Sequence, residues 1–490
     1  MRRNSAVERI VIIGGGLSGL SSAFYLQREA ERQGRAIQLT IVDGAPALGG
    51  KINTLQRDGF VIERGPDSFL TRKLPILELA KELGIEDELT AQNKSGKQAY
   101  ILKGGQLHPM PKGLVLGIPT DLDAFLASGL VSEEGKRRAL EDLELPSDAP
   151  EGDESLGGFL SRRLGSEIMK DISEPLLAGI YAGDLNKLSI QATFPQFADA
   201  EREHGSLIRG TQIQQREKAK QPQSELLADM PQDIRESVFL SFKGGLSTLV
   251  RALDSALEKA ERILGSSVSA IVKNESDGSE AQYTVELDSG ELLLADHVVV
   301  TTQAFQAAKL IAPLVDASEL ETIDYVSVAN VVMAFDKDKF GVTFDGSGFL
   351  VPRSEGLRIT ACTWTSTKWL HTSPENKVLL RCYVGRAGDE SAAYLPDDEL
   401  KRAVLEDIRK TMGIEAEPLF TEITRLPRSM PQYPVGHLDN IQRLRSRLAS
   451  ELPGVWVTGA AFGGVGLPDC IRQGKETALA ALAAPSVPQE

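Results

Sequence analysis

The sequence has few of the residues that build disulfide frameworks and metal centres. It contains three cysteines and five histidines in 490 residues. Cys362, Cys382 and Cys470 are far apart and show no C-x-x-C spacing, and no two histidines stand four positions apart. These absences exclude a disulfide scaffold and leave a metal site, structural or catalytic, without support. The low cysteine content fits a reducing compartment.

Long hydrophobic runs and an excess of positive charge are also missing. No uninterrupted apolar stretch approaches the roughly 18 residues that span a bilayer, and the charged N-terminus runs into a predicted strand rather than a signal-peptide core. The formal net charge of −15 disfavours nucleic acid or an anionic membrane surface as the main partner. We expect a cytoplasmic protein, at most attached to a membrane surface. An anionic substrate would need a local basic patch.

A glycine-rich turn stands near each end of the chain, directly after an apolar run. The run 10–13 leads into the G-x-G-x-x-G segment 14–19, and the run 455–458 leads into Gly459 and the segment 463–467. Such glycines permit a tight turn, close approach of the backbone to a pyrophosphate and close helix packing, and the helix dipole favours the phosphates. Two such turns indicate one large cofactor that lies across both ends of the chain.

The residues after the second predicted strand favour FAD over a nicotinamide cofactor. The strand 37–42 ends at Asp43, which is placed to accept hydrogen bonds from the ribose of adenosine. The doublet Gly49-Gly50 and the turn 65–68 each allow another backbone segment to approach the diphosphate or the flavin. A helix from about Pro468 would direct its positive end at the flavin ring. Each turn alone is equally typical of an ordinary β-turn, so the interpretation depends on their combination.

Hydrophobic periodicity predicts an α/β chain that begins with a β-α-β unit. The polar stretch 212–236 is predicted to be a surface connection. The remaining predicted helices are 18–33, 74–83, 121–140, 156–164, 167–180, 244–258 and 400–412, and the remaining strands are 268–273, 283–287, 292–301, 326–335, 349–351, 357–364 and 377–384.

Six segments carry a resemblance to a known family. In chain order they read GGGLSGLSSAFYL, VDGAPALGGKI, ERGPDSFL, FKGGLSTLV, MPQYPVGH and GVGLPDCIRQGKETALAA. Together they resemble the FAD-dependent porphyrinogen oxidases of haem synthesis, protoporphyrinogen or coproporphyrinogen oxidase. The first two are shared with monoamine oxidases and phytoene desaturases, whereas the full set is specific. Soluble members of the Gram-positive bacterial type are the most similar.

The resemblance implies an α/β fold, mixed with α+β character, in three parts. A Rossmann-like FAD-binding domain takes residues 1–72, 238–302 and 440–490. A substrate-binding domain with a mixed sheet takes 73–100 and 303–439. A mostly helical inserted domain takes 101–237.

The resemblance also implies site residues. Lys73 matches a substrate-binding lysine of the family, and Arg72 and Arg209 are weaker candidates for binding substrate carboxylates. The family often has a Trp four residues before Pro431, where this chain has Pro427 next to Leu426. The residues expected to contact FAD are Gly14, Gly15, Gly16, Leu17, Ser18, Gly19, Asp43, Gly44, Gly50, Lys51, Gly65, Pro66, Asp67, Ser68, Val268, Gly459, Val465, Gly466 and Leu467.

The implied reaction is oxidation of coproporphyrinogen III to coproporphyrin III, with protoporphyrinogen IX as the alternative substrate. In similar enzymes a hydride passes from a meso carbon to flavin N5, dioxygen reoxidises the flavin to give hydrogen peroxide, and three such two-electron rounds complete the porphyrin. No acid–base residue is assigned, because the pyrrole nitrogens can lose protons to water and the flavin takes the electrons.

Two other classes remain open on the same scaffold. One is an amine oxidase or carotenoid desaturase, although Trp456 and Cys470 do not form the pattern of an amine oxidase. The other is an escort-type binding protein that has lost FAD, against which the intact glycines, Asp43 and Lys51 argue. Four further residues, which could face the substrate, are interpreted as core or as pocket lining: Trp364, Trp369, Gln432 and Tyr433.

Overall fold

The computed structural model describes residues 7–148, 150, 152–220, 224–274 and 281–483. Residues 1–6, whose charge disfavours a signal peptide, therefore lie outside the described ranges. No helix in the described part of the chain is long and apolar enough to cross a membrane.

A parallel sheet joins the two ends of the chain. Ile10 and Ile12 pack on one face and Val11 and Ile13 on the other, which explains why this strand reads as a continuous apolar run. The predicted β-α-β unit is confirmed, with a helix at Leu17–Gln33 between the first two strands. The strands lie in the order Glu261–Leu264, Ile37–Asp43, Glu8–Ile13, His297–Val300 and Val455–Val457, with every pair parallel.

Different elements cover the two faces of this sheet. One face packs against the helices Leu17–Gln33, Ser247–Ala256 and Leu467–Ala483. The other packs against an antiparallel meander and two helices, namely Val268–Lys273, Tyr283–Leu287, Leu292–Ala295, Ala304–Ile311 and His437–Glu451.

The predicted single strand 292–301 is wrong. It is two strands, Leu292–Ala295 in the meander and His297–Val300 in the parallel sheet. They separate at Asp296, whose carboxylate accepts a hydrogen bond from the backbone N–H of Arg9 at 2.8 Å. This contact spans most of the chain and is absent from local periodicity.

A mixed sheet forms the second layered unit. Only the strands Gly346–Leu350 and Gln98–Lys103 pair in parallel within it. The helix Asp397–Met412 covers one face through Leu400, Val404 and Ile408. The predicted boundary between residues 100 and 101 falls inside the strand Gln98–Lys103, so the mixed sheet extends past it. The order is Phe420–Pro431, Tyr325–Asp336, Lys377–Val384, Ile359–Thr363, Gly346–Leu350, Gln98–Lys103 and Gln106–Pro109.

The middle of the chain is helical, as predicted, with corrections. The predicted helix 121–140 is two helices, Leu122–Leu126 and Glu133–Leu140. The predicted surface connection 212–236 contains helical segments, the first of which continues the helix Leu207–Lys220. The buried guanidinium of Arg163 anchors this region on Asp142 at 2.5 Å. Other helical segments are Pro75–Glu82, Leu156–Leu164, Ser166–Ile168, Met169–Ser173, Glu174–Tyr181, Ile190–Thr193, Pro195–His204, Glu225–Ala228 and Gln232–Glu236.

Short strands and turns connect the three units. The hairpin Thr54–Arg57 with Phe60–Glu63 precedes a small sheet of Phe69–Leu70, Phe239–Phe242 and Leu89–Ala91, and a two-stranded ladder pairs Leu114–Val115 with Ile118–Pro119. Lys337–Phe340 and Thr365–Lys368 are single helical turns in the mixed-sheet unit.

Candidate functional site

The N-terminal glycine turn has the geometry that its sequence predicts. Gly14 has φ +111°, in the region that favours glycine, and its N–H donates to Val42 O at 2.8 Å. A Cβ on Gly19 would overlap the carbonyl oxygen of Gly14, so only glycine lets the helix begin this close to the strand. The turn therefore exposes its backbone at the carboxyl edge of the sheet.

Asp43 lies beside this turn. Its carboxylate accepts hydrogen bonds from the backbone N–H of Gly15 at 2.6 Å and of Ala45 at 2.7 Å. These two donors fix the carboxylate at the end of the second strand while it still lines the adjacent cavity. This is the position from which an acid accepts hydrogen bonds from a ribose.

The second glycine doublet packs directly on the first turn. Gly16 and Gly49 form an isolated parallel bridge, and Gly49 N–H donates to Gly15 O at 2.9 Å. Both Gly49, at φ +112°, and Gly50, at φ +58°, adopt conformations that favour glycine. Two backbone segments without side chains therefore lie together at the first turn.

The C-terminal turn reaches the same place. Gly459 has φ +121°, and a Cβ there would lie 3.2 Å from Ser18 Oγ. Tyr433 shapes the following segment, because its buried hydroxyl donates to Ala460 O and accepts from Gly464 N at 3.2 Å. The helix Leu467–Ala483 then begins beside the helix Leu17–Gln33.

A single cavity of about 2590 Å³ connects these turns with the mixed sheet and the helical region. Ligand pockets are typically 300–1,000 Å³, so this volume accommodates a dinucleotide together with a large second molecule.

Most of the residues predicted from the sequence line this cavity. Gly15, Gly19 and Gly459 belong to the turns but do not line the cavity. Arg209 also lies outside the cavity; it is exposed, and its guanidinium donates to Leu143 O at 3.0 Å. Contact of each lining residue with FAD or substrate stays a prediction. Those that line it are Gly14, Gly16, Leu17, Ser18, Asp43, Gly44, Gly50, Lys51, Gly65, Pro66, Asp67, Ser68, Arg72, Lys73, Val268, Val465, Gly466 and Leu467.

Lys51 is a cation that the surrounding protein does not neutralise. Its ammonium donates to the carbonyl oxygen of Ser429, and among the described residues no carboxylate lies within 4.0 Å of it. Burial lowers its pKa. A phosphate or a reduced flavin ring would supply the missing negative charge, so the donors present here fit FAD.

The turn 65–68 rests on a buried charge network. Arg381, on the strand Lys377–Val384, donates to the carbonyl oxygen of Gly65. Burial alone would raise the pKa of Asp67, but Lys368 and Arg381 hold it below its usual value. A Cβ on Gly65 would overlap the carbonyl oxygen of Lys51, so this turn also packs against the second glycine segment.

Lys73 lies in the cavity wall but has a partner. Its Nζ is 2.5 Å from Asp469 Oδ2, in the first turn of the C-terminal helix. Arg72, beside it, is exposed. The Lys73 charge is therefore shared between this ion pair and the cavity.

Apolar side chains line the part of the cavity between the mixed sheet and the helical region. This apolar part suits a flat, hydrophobic molecule. One of these side chains is Leu426, next to Pro427, the position at which the resembling family often has Trp. The apolar lining side chains are Met110, Leu114, Leu116, Leu176, Ile180, Tyr181, Phe194, Phe349, Leu350, Leu426 and Met430.

The aromatic residues singled out in the sequence belong to the core. Trp364 stacks on Phe344 with ring centroids 4.1 Å apart, and Trp369 and Tyr433 are each 1% exposed. Gln432 donates to Tyr181 O at 2.8 Å and, like these three, does not line the cavity. Tyr433 packs on Tyr181 and Trp364 on Phe349, and both of these partners line the cavity.

The charge of the cavity is opposite to that of the chain. Ten cationic and four anionic side chains occur among the described residues that line it, although the whole chain carries −15. This excess is more than one diphosphate neutralises, so the cavity suits a cofactor and an additional anion. The cations are Lys51, Arg72, Lys73, Lys218, Arg235, Lys309, Arg353, Lys368, Arg381 and Arg386, and the anions are Asp43, Asp67, Glu174 and Asp469.

Sequence reasoning missed Arg353, Arg381 and Arg386. Arg381 lies within the strand Lys377–Val384, whereas Arg353 and Arg386 follow strands of the mixed sheet, and none of the three stands in a recognisable motif. The one available signal is Gly385, before Arg386, whose φ of +94° marks a turn at the end of the strand Lys377–Val384.

Comparison with known proteins agrees with this geometry. The family model of the flavin containing amine oxidoreductases matches residues 17–482. The coproporphyrinogen III oxidase of Bacillus subtilis (strain 168) is 45% identical over 97% of this chain and 98% of its own length. The coproporphyrinogen III oxidase of Staphylococcus aureus (strain NCTC 8325 / PS 47) is 40% identical over 96% and 98%.

A solved structure shows the same fold. The crystal structure of a proposed protoporphyrinogen oxidase from Exiguobacterium sp. 255-15 superimposes with a TM-score of 0.84 at 37% identity, covering 97% of this chain and 99% of that one. The predicted α/β fold is confirmed, and the family match supports the predicted FAD cofactor. The chain belongs to the family of flavin containing amine oxidoreductases.

Proposed function

We propose that this protein is an FAD-dependent oxidase that converts coproporphyrinogen III to coproporphyrin III in haem synthesis. The relatives from Bacillus subtilis and Staphylococcus aureus carry that name over nearly their full length. Dioxygen as the final acceptor, release of hydrogen peroxide and a cytoplasmic location are parts of the proposal. The three cysteines, all free, suit a reducing compartment.

The observation that carries this proposal is the basic cavity in an acidic chain. Coproporphyrinogen III has propionates where protoporphyrinogen IX has vinyl groups, so it carries more negative charge. The ten lining cations attract such a molecule, while the apolar part of the cavity suits its tetrapyrrole ring. A protonated amine would be repelled by the same cations, which disfavours an amine oxidase.

The glycine turns and Asp43 would hold FAD. The backbone of the segment 14–19 and of Gly49 and Gly50 would approach the diphosphate, Asp43 would accept from the ribose, and Lys51 would supply a positive charge. When bound, FAD supplies the two-electron acceptor that hydrogen removal from a meso carbon requires. The same residues argue against an escort protein without cofactor.

The chain itself positions the macrocycle and keeps water away from it. The helix Glu174–Tyr181 and the strand Gly346–Leu350 both contribute apolar side chains to the cavity wall, and Tyr181 is buried between Phe194 and Tyr433. Rigid packing of this kind fixes the ring relative to the cofactor, which contributes to the rate through orientation. The division into FAD-binding, substrate-binding and helical domains is also part of the proposal.

Steady-state rates on the two porphyrinogens test the proposal. We expect the FAD-loaded protein to oxidise coproporphyrinogen III with a kcat/KM at least tenfold, that is about 1.4 kcal/mol, above that for protoporphyrinogen IX. Added salt should raise KM for the former more, because screening weakens attraction of the more highly charged substrate. A preference for protoporphyrinogen IX would overturn the substrate assignment.

A further inference from the structure

Arg386 is a buried cation in the wall of the cavity, outside the predicted FAD site. It is 8% exposed and follows the strand Lys377–Val384. Gly385 turns the chain before it, and a hydrogen bond of 3.3 Å from its own N–H to Asp389 O fixes the backbone. The side chain is therefore held on a rigid turn at the end of the mixed sheet.

The guanidinium of Arg386 is incompletely paired. One terminal nitrogen donates to Val351 O at 3.3 Å, whereas Nε has no hydrogen-bond partner among the described residues. Its nearest carboxylate oxygen belongs to Asp389, at 3.9 Å, and that side chain is 44% exposed. Water therefore screens the attraction from Asp389, and burial lowers the pKa of Arg386.

The neighbouring charges do not compensate the positive charge of Arg386. Arg353 lies close enough to repel it, but the Arg353 guanidinium is already paired with Glu174 at 2.5 Å and donates to Ala387 O at 3.0 Å. Glu174 is thus occupied. A buried cation without a close partner costs free energy unless a ligand compensates it.

We infer that Arg386 binds a propionate of the tetrapyrrole substrate. Arg386 lines the same cavity as Phe349 and Leu350, whose strand carries the apolar wall. A ring held there can direct a peripheral carboxylate to Nη2, the terminal nitrogen that has no hydrogen bond among the described residues. An arginine fork binds a carboxylate through two parallel hydrogen bonds, which gives both affinity and orientation. This inference rests on the proposed function and names a determinant of its substrate class.

Binding of the product, coproporphyrin III, to the FAD-loaded protein tests this role without turnover. Titration followed by porphyrin absorbance should give a Kd for Arg386→Gln that is roughly tenfold or more above that of the unchanged protein. Arg386→Lys keeps the charge but not the fork, so its Kd should rise less, by roughly threefold. Arg409→Gln, at an exposed arginine that is paired with Glu415 and does not line the cavity, is the matched control and should leave Kd unchanged.

A second ligand separates carboxylate recognition from general damage. The tetramethyl ester of coproporphyrin III has no carboxylate, so its Kd should be the same for Arg386→Gln and the unchanged protein. If Arg386→Gln raises the Kd of the acid and of the ester by the same factor, the inference is overturned, because this result would indicate a distorted cavity. If Arg386→Gln does not retain FAD, Arg386→Lys decides, and an unchanged Kd for the acid rejects the role.

The outcomes also distinguish this inference from the proposed function. If the unchanged protein oxidises coproporphyrinogen III and Arg386→Gln binds coproporphyrin III equally well, only the role of Arg386 is rejected. If the unchanged protein neither oxidises the porphyrinogen nor binds the porphyrin, the proposed function fails and this inference fails with it.

Discussion

Lys73 and Asp469, at opposite ends of the chain, form an ion pair 2.5 Å long in the wall of the cavity. It ties the segment after the turn 65–68 to the first turn of the C-terminal helix. Because Lys73 is partly exposed to the cavity, it can also attract a substrate carboxylate. The two partners therefore offer a test of which role Lys73 has.

Lys73→Ala should raise KM for coproporphyrinogen III by roughly threefold to tenfold, with kcat changed by less than about twofold, because a partly exposed charge mainly affects binding. Flavin content should stay the same. Steady-state kinetics and flavin absorbance provide the measurements. Unchanged kinetics would remove Lys73 from the substrate site.

The partner variant Asp469→Asn is the control for this prediction. It releases Lys73 from its ion pair, so KM should fall or stay level if Lys73 faces the substrate. A rise in KM in both variants, accompanied by loss of flavin, would instead indicate that the pair only holds the C-terminal helix in place.

Asp43→Ala should weaken FAD binding by roughly tenfold to 100-fold, because it removes both the predicted ribose acceptor and the partner of Gly15 N–H. The flavin-to-protein ratio after gel filtration measures this loss. Asp398→Ala, at an exposed aspartate outside the cavity lining, should retain its flavin. Full retention in Asp43→Ala would place the adenosine elsewhere.

Gly65→Ala should abolish stable flavin binding or folding, since the added methyl group would overlap the carbonyl oxygen of Lys51. Gly179→Ala is the matched control, because a Cβ there meets nothing within 4 Å. Flavin content and the thermal midpoint of both variants provide the comparison. A Gly65→Ala protein with normal flavin content contradicts the close packing of the two segments.

Because of His437, the free energy of unfolding should decrease in mild acid. Burial lowers its pKa to about 4, whereas an unfolded histidine titrates near 6.5. Between these pH values the unfolded chain binds more protons than the folded chain. The contribution of His437 to the free energy of unfolding is therefore fully present above pH 6.5 and decreases as the pH falls towards 4. From pH 7 to pH 5 this amounts to about 2 kcal/mol.

His437→Phe removes this titration and keeps an aromatic ring beside Tyr433, on which His437 stacks at 4.3 Å. Denaturant unfolding at pH 7 and pH 5 should therefore show a smaller loss of stability for the variant than for the unchanged protein. Equal losses would mean that His437 is not the titrating group.

The parts predicted best from the sequence depend on local rules. The β-α-β start, Asp43 at its strand end and the helix 156–164 follow from periodicity and from glycine conformation, which short segments determine by themselves. The strand 292–301 was predicted wrongly because its division depends on Asp296 meeting Arg9, a contact between distant segments.

The cations of the cavity were predicted incompletely for the same reason, since their positions depend on distant segments. Lys51 and Lys73 follow glycine-rich turns and could be identified, whereas Arg386 stands in no motif and reaches the cavity only through the pairing of the mixed sheet. Arg209, a weaker candidate for binding a substrate carboxylate, lies outside because its helix presents it to solvent. Charge placement within a cavity is a tertiary property.

Anaerobic mixing of the FAD-loaded protein with coproporphyrinogen III is the most direct test of the account, which holds that one cavity places a cofactor and an anionic tetrapyrrole together. We predict that the visible absorption of the oxidised flavin is lost within a single turnover, at least as fast as kcat, and returns when dioxygen is admitted. Flavin absorption that persists in the presence of saturating porphyrinogen would contradict the account.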